Sequence, residues 1–273
     1  MTGDDATPGP VPAYQDEKFM NSVDARPLRI LAEYLEPMER FEDLRVSDTI
    51  VVMGSARFLP QDVADARLAA ARRDGGDIGR AESVLRMSRY YEEARLLSHR
   101  LTEWSKGLER TRRRFVVCTG GGPGIMEAAN RGASEARGIN IGLNIALPLE
   151  QHENPYITRE LTFQFHYFFM RKFWFVYLAK AIVIFPGGFG TLDEFFEILT
   201  LDQTQKLKKQ IPIVLYGTDY WDKVIDFQAL VDFGTIDAAD LALFHRVDSV
   251  DAAFDVITRE LAEKSLQHPG GAL

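Results

Sequence analysis

Glycines gather at two places in this sequence, each between an apolar run and a segment of helical spacing. The first run, Phe115–Cys118 (FVVC), leads through Thr119 into Gly120, Gly121, Gly122, Pro123 and Gly124 and then Ile125 and Met126. The second, Ala181–Phe185 (AIVIF), leads into Pro186, Gly187, Gly188, Phe189, Gly190 and Thr191 and then Leu192, Asp193 and Glu194. A bulky side chain at such a turn keeps backbone N–H groups away from an oxyanion, and glycine removes the obstacle. The helix start beyond it adds about half a positive charge and unpaired N–H donors. A tight strand-to-helix turn with no ligand uses the same residues, so one cluster alone decides little. Two such turns at the carboxyl ends of parallel strands face the same side of a sheet, where open α/β folds bind ligands. Together they point to the phosphate of a nucleotide.

Two commoner nucleotide motifs do not fit. G-x-G-x-x-G, counted from Gly120 and Gly122, requires glycine where Ile125 stands, and an acid closing the next strand. The run Ile139–Ala146 (INIGLNIA) ends without that acid. A phosphate loop of the Gly-Lys-Ser/Thr kind is absent.

Charged side chains near the second turn carry the remaining chemistry. Thr191 is expected near the helix start, where its hydroxyl caps the helix or binds phosphate. Asp193 and Glu194 read as acids opening the same helix, which the helix dipole favours. Glu194 beside a phosphate loop opposes anion binding, however, and so calls for a cationic partner or a catalytic role. Arg171 and Lys172 offer the cation, although an Arg-Lys pair after the aromatic stretch Phe163–Met170 also suits a solvated helix face.

The elements that must position these residues alternate. Thr49–Met53 (TIVVM) reads as a buried strand ending at Gly54, Ser55 and Ala56. Strands are expected at 115–118, 139–146, 181–185, 211–215 and 242–245, with a short one around 161–165 inside a loop from 147 to 165. Helices are expected over 29–44, broken or kinked at Pro37, and over 81–106, 125–137, 168–179, 192–201, 220–233 and 250–265. Residues 1–26 read as a disordered or extended tail, and 59–80, highly charged with a Gly75-Gly76 break, as a surface insertion. The expected fold class is α/β, a Rossmann-like doubly wound parallel sheet in a single domain over 27–273.

Composition narrows the partners. With 273 residues, 46% hydrophobic, the chain can bury a sheet without staples. A formal charge of −8 argues against nucleic acid and anionic membrane as partners. Cys118 is the single cysteine, and the five histidines are scattered, so neither metal nor cofactor is expected. The acidic, proline-rich N-terminus has no signal-peptide core, and no apolar run reaches the roughly 20 residues of a membrane helix. The expected location is cytoplasmic.

Gly54-Ser55-Ala56-Arg57, Gly120–Met126, Arg171-Lys172 and Pro186–Glu194 together resemble the Lonely Guy (LOG) family, whose P-G-G-x-G-T-x-x-E pattern the last segment matches. The similarity runs from about Thr49 to Ile257. The resemblance implies a nucleoside 5′-monophosphate phosphoribohydrolase. Such an enzyme cuts the N-glycosidic bond of AMP or cytokinin riboside monophosphates to give free base and ribose 5-phosphate. It implies Arg171 and Glu194 as the catalytic pair. Ser55, Gly120, Gly121, Gly122, Gly124, Met170, Lys172, Gly187, Gly188, Gly190 and Thr191 fall on phosphate and nucleotide contacts. It also implies a homodimer or higher homo-oligomer with sites near the interface. Shorter members carry Met-His before the Arg-Lys where this chain has Phe168-Phe169-Met170, a difference that bears on the base. Relatives often carry the label lysine decarboxylase. Pyridoxal catalysis needs a Schiff-base lysine with a pyridinium-nitrogen partner, and nothing in the sequence marks that pair. The alternative is a carrier of a nucleotide or of the molybdenum cofactor on the same fold, which needs glycine turns but no carboxylate–arginine pair.

Overall fold

Alternation of buried strands and amphipathic helices produces one seven-stranded sheet in the computed structural model, which describes residues 9–108, 112–146 and 154–271. The strands are β1 (Thr49–Met53), β2 (Val116–Thr119), β3 (Asn140–Ile145), β4 (Thr162–Phe165), β5 (Ala179–Ile184), β6 (Ile213–Tyr216) and β7 (Phe244–Val247). The helices are α1 (Glu17–Met20), α2 (Arg26–Asp43), α3 (Gln61–Asp74), α4 (Ile78–Lys106) and α5 (Ile125–Glu135). They continue with α6 (Phe168–Tyr177), α7 (Phe189–Gln203), α8 (Thr218–Val224), α9 (Phe227–Asp232) and α10 (Val250–Lys264).

Sheet order is β4-β3-β2-β1-β5-β6-β7, and every adjacent pair is parallel. The chain winds outward from β1 to β4, crosses back to β5 beside β1, and winds outward the other way. This is the doubly wound, Rossmann-like arrangement, with its switch point between β1 and β5. Helices on both faces explain the uninterrupted apolar strands. Along β1, Ile50 and Val52 pack with Leu97 of α4 and Leu261 of α10, while Val51 and Met53 pack with Trp174 of α6 and Phe195 of α7.

Several boundaries differ from the sequence reading for physical reasons. Residues 59–80 are largely helical: α3 buries Ala64 and Leu68, and its C-cap Gly75 adopts φ 74°, so the Gly-Gly break is a helix stop. Of the N-terminal tail, residues 1–8 lie outside the described residues, while 13–15 and 17–20 form short helical turns, the latter capped by Asp16. The loop 147–165 does contain a strand, β4, pairing along β3; residues 147–153 lie outside the described residues. The helix expected over 220–233 is two, because Ile225 is extended and Asp226 caps α9 through the Ala229 N–H. None of the described helices is long and apolar enough to cross a membrane.

Helix α2 does not break at Pro37. Proline removes the N–H that would bond the carbonyl four residues back, Glu33. That carbonyl accepts instead from the Trp174 indole N–H of α6 at 3.0 Å. The Glu33 carboxylate accepts the backbone N–H groups of His166 (2.7 Å) and Tyr167 (3.2 Å), just before α6, which has no side-chain cap of its own. One residue of α2 thus holds both the approach and the body of the helix that carries Arg171.

Candidate active site

Three loops meet where the sheet order reverses. Phe185 N–H donates to Met53 O (2.8 Å), Ser55 N–H to Pro186 O (3.0 Å), and Ile125 N–H to Ser55 O (3.0 Å). Above this seam opens a cavity of about 670 Å³, walled by the loops after β1 and β5, the start of α7, and Gly120 after β2.

The two glycine turns do different work. In the first, only Gly120 reaches the cavity. Gly121 sits at φ 72° with its N–H bonded to Thr119 Oγ1, and a Cβ there would strike Asn144. Gly124 sits at φ 71°, and its Cβ would run into the Ser55 carbonyl. A Cβ on Gly122 would meet Met126 Cε at 2.8 Å. Gly121 is thus required by its backbone conformation and by Asn144 of β3, and Gly124 by the close approach of the loop after β1 to the start of α5, and none of the three is in the cavity wall. In the second turn Gly187, Gly188 and Gly190 all line the cavity. A Cβ on Gly188 or Gly190 would meet nothing within 4 Å, and neither has positive φ. Internal packing therefore does not require glycine at these two positions. Gly188 is the N-cap of α7 and offers no side chain to it, so the first N–H groups of that helix face the cavity free.

Helix α7 begins at Phe189, earlier than Leu192. Thr191 is consequently not the cap: it lies in the first turn, 6% exposed, in the cavity wall. Asp193 and Glu194 fall in the second turn, beyond the residues the helix dipole favours. Asp193 faces outward with Glu197 and holds Lys172, at 2.8 and 3.0 Å from Nζ. Lys172 does not line the cavity, and Met170 is packed in the core. Ser55 lines it, its hydroxyl accepting the Arg57 N–H at 3.1 Å.

Arg171 and Glu194 do come together in the cavity. Arg171 Nη2 donates to Glu194 Oε1 at 2.8 Å, and their side chains are 12% and 14% exposed. The guanidinium lies near the rings of Phe168 and Phe175, 5.2 and 5.5 Å from their centroids, and its buried Nε has no hydrogen-bond partner among the described residues. Arg171 nevertheless does not hold Glu194 in the usual carboxylate range. Burial pushes the Glu194 carboxyl up to about 7, and the attraction of Arg171 only partly offsets it. A group near 7 both takes and gives protons at neutral pH.

A pH dependence follows. If the carboxylate is the working form, kcat/KM rises with pH through about 7. Arg171→Ala moves that rise to higher pH, since Arg171 favours the charged form. A flat profile from about pH 5 to 9 would remove Glu194 from the chemistry. Stability runs the other way. The folded state holds this proton above its unfolded value near 4.5, so the contribution is full below that pH and lost as pH rises through about 7.

Sequence reasoning missed the rest of the wall. Tyr220 of α8 lines the cavity and donates its hydroxyl to Gly187 O at 2.7 Å, fixing the glycine turn. Met87 of α4 and Phe58 face the same space. Phe189 stands at the mouth, 92% exposed. Tyr220 and Met87 lie on helices far in sequence from either glycine cluster, with no local signature to mark them.

Fold and site define a Rossmann-like protein with an uncapped helix terminus and a buried acid–arginine pair in one cavity. Residues 126–257, which include β5, the second glycine turn, Arg171 and Glu194, match the family described as "Possible lysine decarboxylase", in line with the resemblance read from the sequence. No curated protein matches the chain. Among solved structures, TM1055 is 23% identical, with 78% of this chain and 99% of that one covered and a TM-score of 0.48. The molybdenum cofactor carrier protein MCP from Chlamydomonas reinhardtii is 19% identical, covering 79% and 98%, with a TM-score of 0.44.

Proposed function

We propose that this protein hydrolyses the N-glycosidic bond of a nucleoside 5′-monophosphate of the AMP or cytokinin riboside type, releasing free base and ribose 5-phosphate. The observation that carries the reading is the buried Arg171–Glu194 pair in the same cavity as the open start of α7. In this reading the phosphate sits on the first N–H groups of α7 beside Gly188, Gly190 and the Thr191 hydroxyl. Tyr220 keeps that turn in place through Gly187. The anchored ribose presents its anomeric carbon to Glu194. Departure of the base, with the electron pair of the C–N bond, leaves an oxocarbenium-like sugar that a carboxylate stabilises. Water adds its oxygen to that carbon and gives a proton to Glu194, which passes it on to solvent, while the departing base takes its proton from solvent, so that Glu194 ends as it began. Arg171 positions the carboxylate and limits the rise of its pKa.

The label lysine decarboxylase does not suit this cavity. Among the described residues lining it there is no lysine to form a Schiff base.

The test is release of adenine from AMP by the purified protein, with adenosine as the control. AMP is expected to be cleaved and adenosine far more slowly, because adenosine forgoes the helix-terminus contacts. Equal turnover of the two would sink the phosphate anchor. Tight binding of AMP with no cleavage would hand the site to a carrier role.

A further inference from the structure

A second cavity, of about 590 Å³, lies between α4 and α8 and shares Met87, Tyr220 and Val224 with the first. Its other lining residues are Arg86, Arg89, Lys223, Asp219 and Tyr90. Three cations and one acid surround a concave space in a chain whose net charge is −8.

The acid is already spent. Asp219 receives Arg89 Nη2 on both oxygens, at 3.0 and 2.9 Å, and the Tyr90 hydroxyl at 2.7 Å. Arg89 is further held by the Tyr90 hydroxyl at 2.7 Å and by the Tyr90 ring, 4.5 Å from its centroid. Among the described residues no carboxylate lies within ion-pair distance of Arg86 or Lys223. Exposed cations usually just face water. These instead rim a cavity whose floor is Met87, Tyr90, Tyr220 and Val224. Tyr220, in the shared wall, is the residue bonded to Gly187 of the glycine turn, so the second cavity adjoins that turn.

We propose that this second cavity is a binding site for a phosphoryl group, held by Arg86 and Lys223 with Arg89 behind them. Lysine supplies a point charge and arginine a planar fork, the two ways side chains take phosphate oxygens. The phosphoryl group is either the distal one of a nucleoside 5′-diphosphate whose first phosphate sits on α7, or a separate anion bound beside an occupied first cavity. The proposal does not depend on the hydrolase reading, because it concerns binding alone.

Calorimetric titration of the full chain tests it, in a Glu194→Gln background so that nucleotides stay intact. The probes are AMP, ADP, and pyrophosphate, the last both alone and added to AMP-saturated protein, each against the same chain with Arg86→Ala and Lys223→Ala. Both side chains are exposed, and unchanged AMP affinity confirms an intact first cavity. A distal phosphoryl predicts that ADP binds more tightly than AMP and loses that advantage, about tenfold, in the variant. A separate anion predicts that pyrophosphate binds beside AMP and weakens by a similar factor. Unaltered affinities for both ADP and pyrophosphate would overturn the site. Failure of AMP itself to bind, with pyrophosphate retained, would instead defeat the hydrolase reading and leave this one standing.

Discussion

Glu194→Gln is expected to lower turnover of AMP by roughly two to four powers of ten, the usual loss for a positioned acid–base or electrostatic group. The substitution keeps the size of the side chain and an acceptor for Arg171 Nη2, now 2.8 Å from the carboxylate. It removes the charge that meets the oxocarbenium ion and the group that takes the proton from water. Affinity for AMP should hold or tighten, since a negative charge near the phosphate disappears. Arg171→Ala should lower both turnover and affinity, because it unfixes the carboxylate and removes one of the two arginines lining the cavity, leaving Arg57. Single-turnover rates together with direct binding of AMP separate these effects. Near-normal turnover in Glu194→Gln would reduce the carboxylate to a structural partner of Arg171.

Gly190→Ala is expected to divide stability from binding. Position 190 is helical, its Cβ meets nothing within 4 Å, and alanine favours a helix over glycine by about 0.5–1 kcal/mol. The melting temperature should therefore hold or rise. The new methyl group projects where the phosphate is proposed to lie, and overpacking of about 1–3 kcal/mol weakens AMP by roughly ten- to a hundredfold. Gly124→Ala should behave oppositely. Its φ of 71° and the Ser55 carbonyl in its path make it destabilising, by about 1–3 kcal/mol or more. Thermal melts and AMP titrations on the two variants read this crossed pattern. A loss of stability in Gly190→Ala without loss of binding would show that this glycine too serves only the fold.

That contrast marks where the sequence stops being legible. Apolar runs and glycine clusters are enough to place β1, β2 and β5 and to read the sheet as doubly wound, whereas the pairing of Arg171 with Glu194 is legible only through the family resemblance. Which glycines face outward into a cavity is not a local property. Gly121, Gly122 and Gly124 look like Gly187, Gly188 and Gly190 until Asn144, Met126 and the Ser55 carbonyl are folded against them. The start of α7 was misjudged because Phe189 and Gly190 carry little helix signal, and that error gave Asp193 and Glu194 the wrong reason for being acidic. Burial decides the Glu194 carboxyl, and no spacing rule reports burial. In α2 the bond lost at Pro37 is replaced from another helix, so a local breaking rule failed there.

That replacement gives α2 a share in positioning Arg171, although it lies outside the matched stretch 126–257. Glu33 acts as a two-point mount: its carboxylate grips the chain entering α6 and its carbonyl grips Trp174. Arg171 sits between those two points of attachment. A mount constrains rotation as well as position, so the angle at which the guanidinium meets Glu194 is set partly by a helix that never touches the cavity. Sequence drift in α2 would therefore appear first as a detuned carboxylate, while the sheet and both glycine turns stayed whole. In this chain helix α2 is part of the instrument's alignment rather than its casing.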